Sequence, residues 1–191
     1  VCSNGTTIDL FLQLQGTPQA GGTWTGPGGA AHPNTYNPAV DGPGVYTYTV
    51  TGQNVCQNDE AVVVVSENLA PVAGLDNSIS ICSDAPSFQM VTQLAGNPQN
   101  GGVWTGPGTQ PHGPAFNPAV DVGSIYTYTV TGLAPCAADV ATLTIQLTTA
   151  PEAGVDSTLS VCSTNTSVYL FLALGAGADA GGAWTDVNTS G

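Results

Sequence analysis

The chain has 191 residues, no Lys or Arg, 13 Asp plus Glu and a formal charge of −13. With no cation to neutralise phosphates, nucleic acid is excluded as a partner, and anionic membrane surfaces repel the protein. A P-loop lysine, a Schiff base and an arginine clamp are excluded by the same absence. Gly and Pro make up about a fifth of the residues, against roughly 12% in ordinary proteins. At 41% hydrophobic, the chain can nonetheless bury cores, unlike a disordered acidic tail. The longest aliphatic run, 61–65, is far too short to span a bilayer. No signal peptide is visible, so the chain reads as mature or as a fragment.

Self-similarity organises the rest. Val1-Cys2-Ser3 returns as Ile81-Cys82-Ser83 and as Val161-Cys162-Ser163, a period of 80 residues, and 36 of 80 ungapped positions are identical between 1–80 and 81–160. In chain order, Ile8, Leu10, Leu12 and Leu14 alternate with Asp9, Phe11 and Gln13. Period two predicts a strand with one buried face, and the phase recurs at Phe88, Met90 and Leu94 and at Val168, Leu170, Leu172 and Leu174. GGTWTGPG (21–28) follows, returning as GGVWTGPG (101–108) and opening again as GGAWT (181–185). The Gly/Pro/Asn cluster at 26–34 reads as turns. Tyr46, Tyr48 and Val50, alternating with Thr47, Thr49 and Thr51, predict a second strand. Ala141, Leu143, Ile145 and Leu147, offset by Thr142, Thr144 and Gln146, predict the closing strand of the second copy. No segment has a convincing 3.6-residue period. Several short strands in about 80 residues predict an all-β chain of tandem two-sheet sandwiches.

The segments APVAGLDNSIS (70–80) and APEAGVDSTLS (150–160) each follow a closing strand. Each reads as a Pro-containing link plus the next domain's first strand. The expected organisation is a domain at 1–69 lacking its first strand, a complete domain at 70–149, and the start of a third at 150–191. Both ends then leave open sheet edges. The chain reads as a window on a longer array or, alternatively, as a filament subunit completed by a neighbour's strand. In the second case residues 150–160 supply that strand, and 161–191 duplicate sequence the acceptor already has.

Five cysteines, Cys2, Cys56, Cys82, Cys136 and Cys162, allow two periodic pairings. Cys2–Cys56 with Cys82–Cys136 stays within each domain and leaves Cys162 unpaired in this window. Cys56–Cys82 with Cys136–Cys162 crosses each boundary and orphans Cys2. The first is favoured because it ties each domain's start to its last hairpin, with a loop closure worth roughly 4 kcal/mol. Paired cysteines place the protein outside the cytoplasm. No metal centre is expected, since there is no CxxC and the histidines, His32 and His112, lie in loops 80 residues apart.

With Ala73-Gly74-Asp76-Cys82, the YTYTVTG strand at 126–132, Cys136 and Asp139, the chain resembles the Ig-like and PKD-like repeats of large secreted bacterial surface proteins, especially those of Bacteroidetes. The resemblance covers essentially the whole chain. The WxFGDG-like stretch of many PKD domains is absent, and GGxWTGPG stands near its place. The resemblance implies a stalk, adhesin or fibre at the cell surface or beyond it.

Several residues invite sharper readings. Trp24, Trp104 and Trp184 could be a row of aromatic sugar platforms, against the plainer expectation of core tryptophans. GAGADA (175–180) mimics a dinucleotide fingerprint, but its counterparts GTPQA (16–20) and GNPQN (96–100) are turns. Asp76 and Asp156, with Asp41/Asp121 and Asp59/Asp139, are weak calcium candidates, since no DxD cluster or EF-hand loop brings six oxygens together. His32 and His112 are the only candidate imidazole bases and have no nucleophile motif beside them. Asn4, Asn165 and Asn188 fit the N-glycosylation pattern, and Ser157 resembles a Bacteroidetes O-glycosylation site. The sequence therefore leads to the expectation of a non-catalytic, cofactor-free structural repeat of an extracellular rod or filament. Its expected partners are copies of itself or further repeats, with no nucleic acid and no membrane insertion. The alternative is an adhesin stalk or glycan-binding module.

Overall fold

Alternating Tyr and Thr put aromatic rings on one face of a strand and β-branched hydroxyls on the other, a pattern that suits a half-buried sheet. Two such strands organise the molecule. The computed structural model of the chain describes residues 1–185. Its strands are β1 (Ile8–Asp9), β2 (Thr23–Thr25), β3 (Ala31–His32), β4 (Thr35–Tyr36), β5 (Gly44–Val50), β6 (Asp59–Val65), β7 (Asn77–Cys82), β8 (Phe88–Gln89), β9 (Val103–Thr105), β10 (Pro111–His112), β11 (Ala115–Phe116), β12 (Ile125–Val130) and β13 (Asp139–Thr148). The fold is all-β. Its sheets are open, and its helical elements are 3-10 turns of three to five residues.

The first copy builds a four-stranded sheet, β3-β2-β5-β6, and a two-stranded sheet, β1-β4. The second builds β10-β9-β12-β13-β7 and β11-β8. Each copy has its own core. Leu10, Trp24, Tyr36, Tyr46, Tyr48 and Val65 form one cluster. Met90, Leu94, Trp104, Phe116, Tyr126, Tyr128 and the inward residues Ala141, Leu143 and Ile145 of β13 are central to the other. The small sheet lies over the large one in both: Tyr36 meets Tyr46 edge-on at 5.6 Å, and Phe116 meets Tyr126 at 5.5 Å. The alternations expected at 46–50 and 141–147 thus bury the expected residues as far as Ile145.

The expected strand at 8–14 needs correction. After β1 the chain turns into a 3-10 helix at Phe11–Gln13, and Leu12 stays 76% exposed while Leu10 and Leu14 turn inward. The second copy does the same at Met90–Gln93, and the third at Leu170–Leu174. The first two turns share a backbone bond, from the Leu14 N–H to the Phe11 carbonyl and from the Leu94 N–H to the Val91 carbonyl, both at 3.3 Å. In the first copy the Asp9 carboxylate adds a bond from the Phe11 N–H at 2.9 Å, while Gln89 and Tyr169 stand at that position in the others. Leucines at i and i+4 then share a face of the turn as readily as they would a face of a strand.

The copies differ at one edge. In the second, β7 runs parallel to β13, from Asn77 opposite Leu143 to Cys82 opposite Thr148. In the first, the parallel contact is one bridge, Cys2 to Asn68. β6 therefore lies at the edge of its sheet, and Ala61, whose counterpart Ala141 is buried, is exposed. Residues 151–185 have no buried member and no strand. They nevertheless begin the same local pattern. The Val155 N–H bonds the Leu174 carbonyl at 3.0 Å, as Leu75 bonds Ala95 at 2.7 Å.

Candidate functional site

The GGxW block is a structural lock. Gly21 and Gly101 both sit at φ +93°, a left-handed conformation glycine adopts without cost. The following Gly22 and Gly102 lie so close to a tyrosine that a Cβ would meet the ring, 2.6 Å from Tyr48 Cζ and 2.5 Å from Tyr128 Cζ. Each of these tyrosines accepts the glycine N–H, at 2.7 and 2.8 Å, and donates to the carbonyl of Gln19 or Gln99, at 2.9 and 2.7 Å. Trp24 and Trp104 pack on the same rings at 5.0 and 4.9 Å and are only 5% and 4% exposed. Stacking a sugar requires an open ring face, so the platform reading is corrected for these two residues. Trp184 is 57% exposed, in the segment without a core.

The histidines pin loops. His32 packs edge-on against Tyr46 at 4.8 Å, with Nδ1 2.8 Å from the Pro33 carbonyl and Nε2 3.2 Å from the Asp41 carboxylate. His112 repeats this with Tyr126 (4.9 Å), Gly113 (2.8 Å) and Asp121 (3.3 Å). Asp41 also accepts the Asn37 N–H at 2.7 Å, closing the NPAVD loop, and Asp121 does so with Asn117 at 2.6 Å. The Asn37 amide, and after it His32, hold the Asp41 carboxyl below its ordinary pKa against an opposing effect of burial. The phenol of Tyr36 donates to Glu67 at 2.7 Å, and burial, reinforced by that carboxylate, pushes its pKa well above the ordinary value. Both ring nitrogens are occupied by loop contacts, so neither histidine faces a nucleophile.

The cysteines are where structure and expectation part. Cys2 is bonded to Cys136, across 134 residues, with Cα atoms 5.0 Å apart. Cys56, Cys82 and Cys162 are free. This corrects both pairings considered from the sequence. The reason lies in strand direction. Cys82 pairs with Thr148, the last residue of β13, while Cys136 lies three residues before its first. At about 3.3 Å per residue the two ends are roughly 35–40 Å apart, whereas a disulfide needs Cα atoms within about 7 Å. Cys2 lies at the far pole of the first copy, where the β12–β13 hairpin of the second arrives. Parallel pairing of opening and closing strands was the missing signal. Sequence reasoning has no simple mark for it, although the ten-residue run from Asp139 to Thr148 hints at the distance.

Further bonds close this junction. The Ser3 N–H donates to the Asn68 carbonyl at 2.9 Å, and Ser3 Oγ accepts the Ala70 N–H at 2.9 Å. The Asn68 side-chain amide donates to the Ala134 carbonyl at 2.7 Å, in the hairpin that carries Cys136. Pro71 is buried there, and the Ala73 N–H donates to the Asp139 carboxylate at 2.8 Å. The link is thus held from both sides.

The remaining candidates are dispersed. Asp76 accepts the Thr142 N–H at 2.7 Å, tying β7 to β13, and Asp156 is exposed. Among the described residues, no three His, Cys, Asp or Glu side chains gather as metal ligands. Asn4, Asn165 and Ser157 are exposed, and Asn188 lies outside the described residues. Among those residues no helix is long and apolar enough to cross a membrane. No protein-family model matches the chain, and no curated protein is significantly similar to it.

Proposed function

We propose that the chain is a non-catalytic structural module of an extracellular rod or filament, built from tandem Ig-like domains: one at 1–69 lacking its first strand, a complete one at 70–149 and the start of a third at 150–191. The observation that carries this reading is the junction between the first two copies. A covalent bond and the Asn68 side-chain amide, donating to the Ala134 carbonyl, join one copy to the next, and Ser3 Oγ holds the short link containing Pro71 through the Ala70 N–H. An assembly that must keep its repeats in fixed succession needs such a joint, and a catalyst has no evident use for it.

Other features agree. Tyr46 and Tyr126 each donate to a carbonyl four residues upstream, Gly42 at 2.7 Å and Val122 at 2.8 Å, as the corner tyrosine of an Ig-like sandwich does. A disulfide between copies fits an oxidising compartment and supports a location outside the cytoplasm. A chain without Lys or Arg offers no trypsin-type cleavage site, and its uncompensated negative charge keeps neighbouring rods apart in dilute salt.

Electron microscopy of the native material tests the proposal. Uniform fibres with an axial spacing of one or two domains are expected. Isolated globular particles of a single chain would sink it, while short beaded rods would move the reading to the stalk of a surface adhesin.

A further inference from the structure

The free cysteine of the second junction, Cys82, has a bonded counterpart, Cys2, at the first. Cys82 stands 80 residues after Cys2, and the backbone around it is already arranged in the same way. The Ser83 N–H donates to the Thr148 carbonyl at 2.9 Å, and Ser83 Oγ accepts the Ala150 N–H at 2.9 Å. At the first junction Ser3 makes these two bonds to Asn68 and Ala70 at the same distances. The other half of the staple is also present in duplicate. Cys136 is set in its hairpin by a bond from its N–H to the Leu133 carbonyl at 2.8 Å, and Cys56 by one to Gln53 at 3.1 Å. The one partner that this cradle is seen to hold is a hairpin cysteine from the adjoining copy.

We propose that Cys82 forms a disulfide with the hairpin cysteine of another copy of the repeat, so that every junction carries one staple directed from the opening strand of one copy to the last hairpin of the next. Copies stapled in this sense form a ladder in which the cysteine at the end of each opening strand bonds the one 134 residues further on. The reaction joins two thiols into one disulfide. The two electrons and two protons pass to a small-molecule disulfide, such as oxidised glutathione, which leaves as two thiols. Cys162 sits in a different setting: it has no parallel strand beside it, and its thiol is held below its ordinary pKa by the Thr164 hydroxyl. The proposal rests on the tandem reading but not on the shape of the assembly, so a peptide map and a micrograph can fail separately.

The test is a disulfide map of the native protein, denatured without reductant in the presence of an alkylating agent. Cleavage before aspartate isolates Cys82 on residues 76–83, between Asp76 and Asp84, and Cys136 on residues 121–138, between Asp121 and Asp139. The expected map joins 76–83 to a peptide ending in the hairpin motif TGxxxCxx and separately joins Cys2 to Cys136. Non-reducing electrophoresis then distinguishes the source. Unchanged chain mass on reduction identifies a further repeat of the same chain, and a multiple of it identifies the Cys56 hairpin of a second chain. Alkylated Cys82, or Cys82 joined to Cys136, to Cys162 or to Cys56 of its own chain, overturns the proposal.

Discussion

Gly102 shows how little room the GGxW lock leaves. An added methyl would stand 2.5 Å from Tyr128 Cζ and 2.7 Å from the Thr129 carbonyl oxygen, and neither the ring nor the strand can retreat without unpacking Trp104. Gly102→Ala is expected to cost about 1–3 kcal/mol, the usual range for overpacking, read as a lower denaturant midpoint. Gly113→Ala, with nothing within 4 Å, is expected to leave the midpoint unchanged or slightly raised. The titrating residues set the pH limits. Asp41 has a folded pKa below its unfolded one, so its contribution is present above the unfolded value and lost as the pH falls through the folded value. Asp41→Asn should therefore destabilise at pH 7, by about 1.5–3 kcal/mol for a hydrogen bond to a charged group, and converge with the parent as the pH falls through the lowered folded value. Tyr36, Tyr46 and Tyr126 have raised pKa values, with burial the largest cause. Their contribution is present below the unfolded value near 10 and lost above it. In a Tyr169→Phe variant, which removes the one ring that is 79% exposed, tyrosinate absorbance above pH 10 should rise in one cooperative step together with unfolding. A gradual rise with the fold intact would contradict the buried rings.

β6 and β13 are counterparts with different neighbours, and the difference is measurable. β13 lies between β12 and β7, while β6 has only β5 beside it along its length. In hydrogen exchange, β13 amides that bond to β7 should be at least tenfold better protected than the matching amides of β6. Equal protection would mean that β6 has found a partner. Legibility in the sequence follows the same lines. The 46–50 and 141–147 strands could be read because both are paired through their length and packed on one face, so period two has a single physical meaning there. Residues 8–14 could not, because Leu10 and Leu14 satisfy a strand face and a helical turn alike, and all three copies take the turn whether Asp9, Gln89 or Tyr169 precedes it. Cys2 and Cys136 were legible as disulfide formers. Their partners were not, because pairing depends on which pole of a copy each one reaches, and a parallel strand sends Cys82 to the opposite pole from Cys136.

At the scale of the molecule, two self-contained cores meet at one stapled joint. Closing a loop of 134 residues stabilises by about 5 kcal/mol in the chain-entropy model. Here it acts on the arrangement of the copies rather than on either core. Cys136→Ser is expected to leave both cores folded, with near-ultraviolet circular dichroism unchanged. In solution scattering the same variant should broaden the distribution of maximum dimensions as the joint opens. Loss of the circular dichroism signal would mean that the staple belongs to the folding of a copy after all.

The offset of that staple also decides which atoms bear tension. In a molecule pulled from its two ends, force enters at Val1, reaches Cys2, crosses the sulfur–sulfur bond to Cys136 and leaves along β13. The first copy, and the second up to its last hairpin, lie outside the load path. The first core need not resist any pull, and unfolding it releases no length, whereas the second is loaded through β13, whose Ala141, Leu143 and Ile145 belong to it. Reduction puts both cores into the load path, and their unfolding under force then frees on the order of 450 Å of chain, at 3.3–3.6 Å per residue for the 134-residue separation. Single-molecule extension traces carried through unfolding with and without reductant should differ by about that length. A molecule of this design carries a concealed reserve of contour that force can reach only after one chemical event.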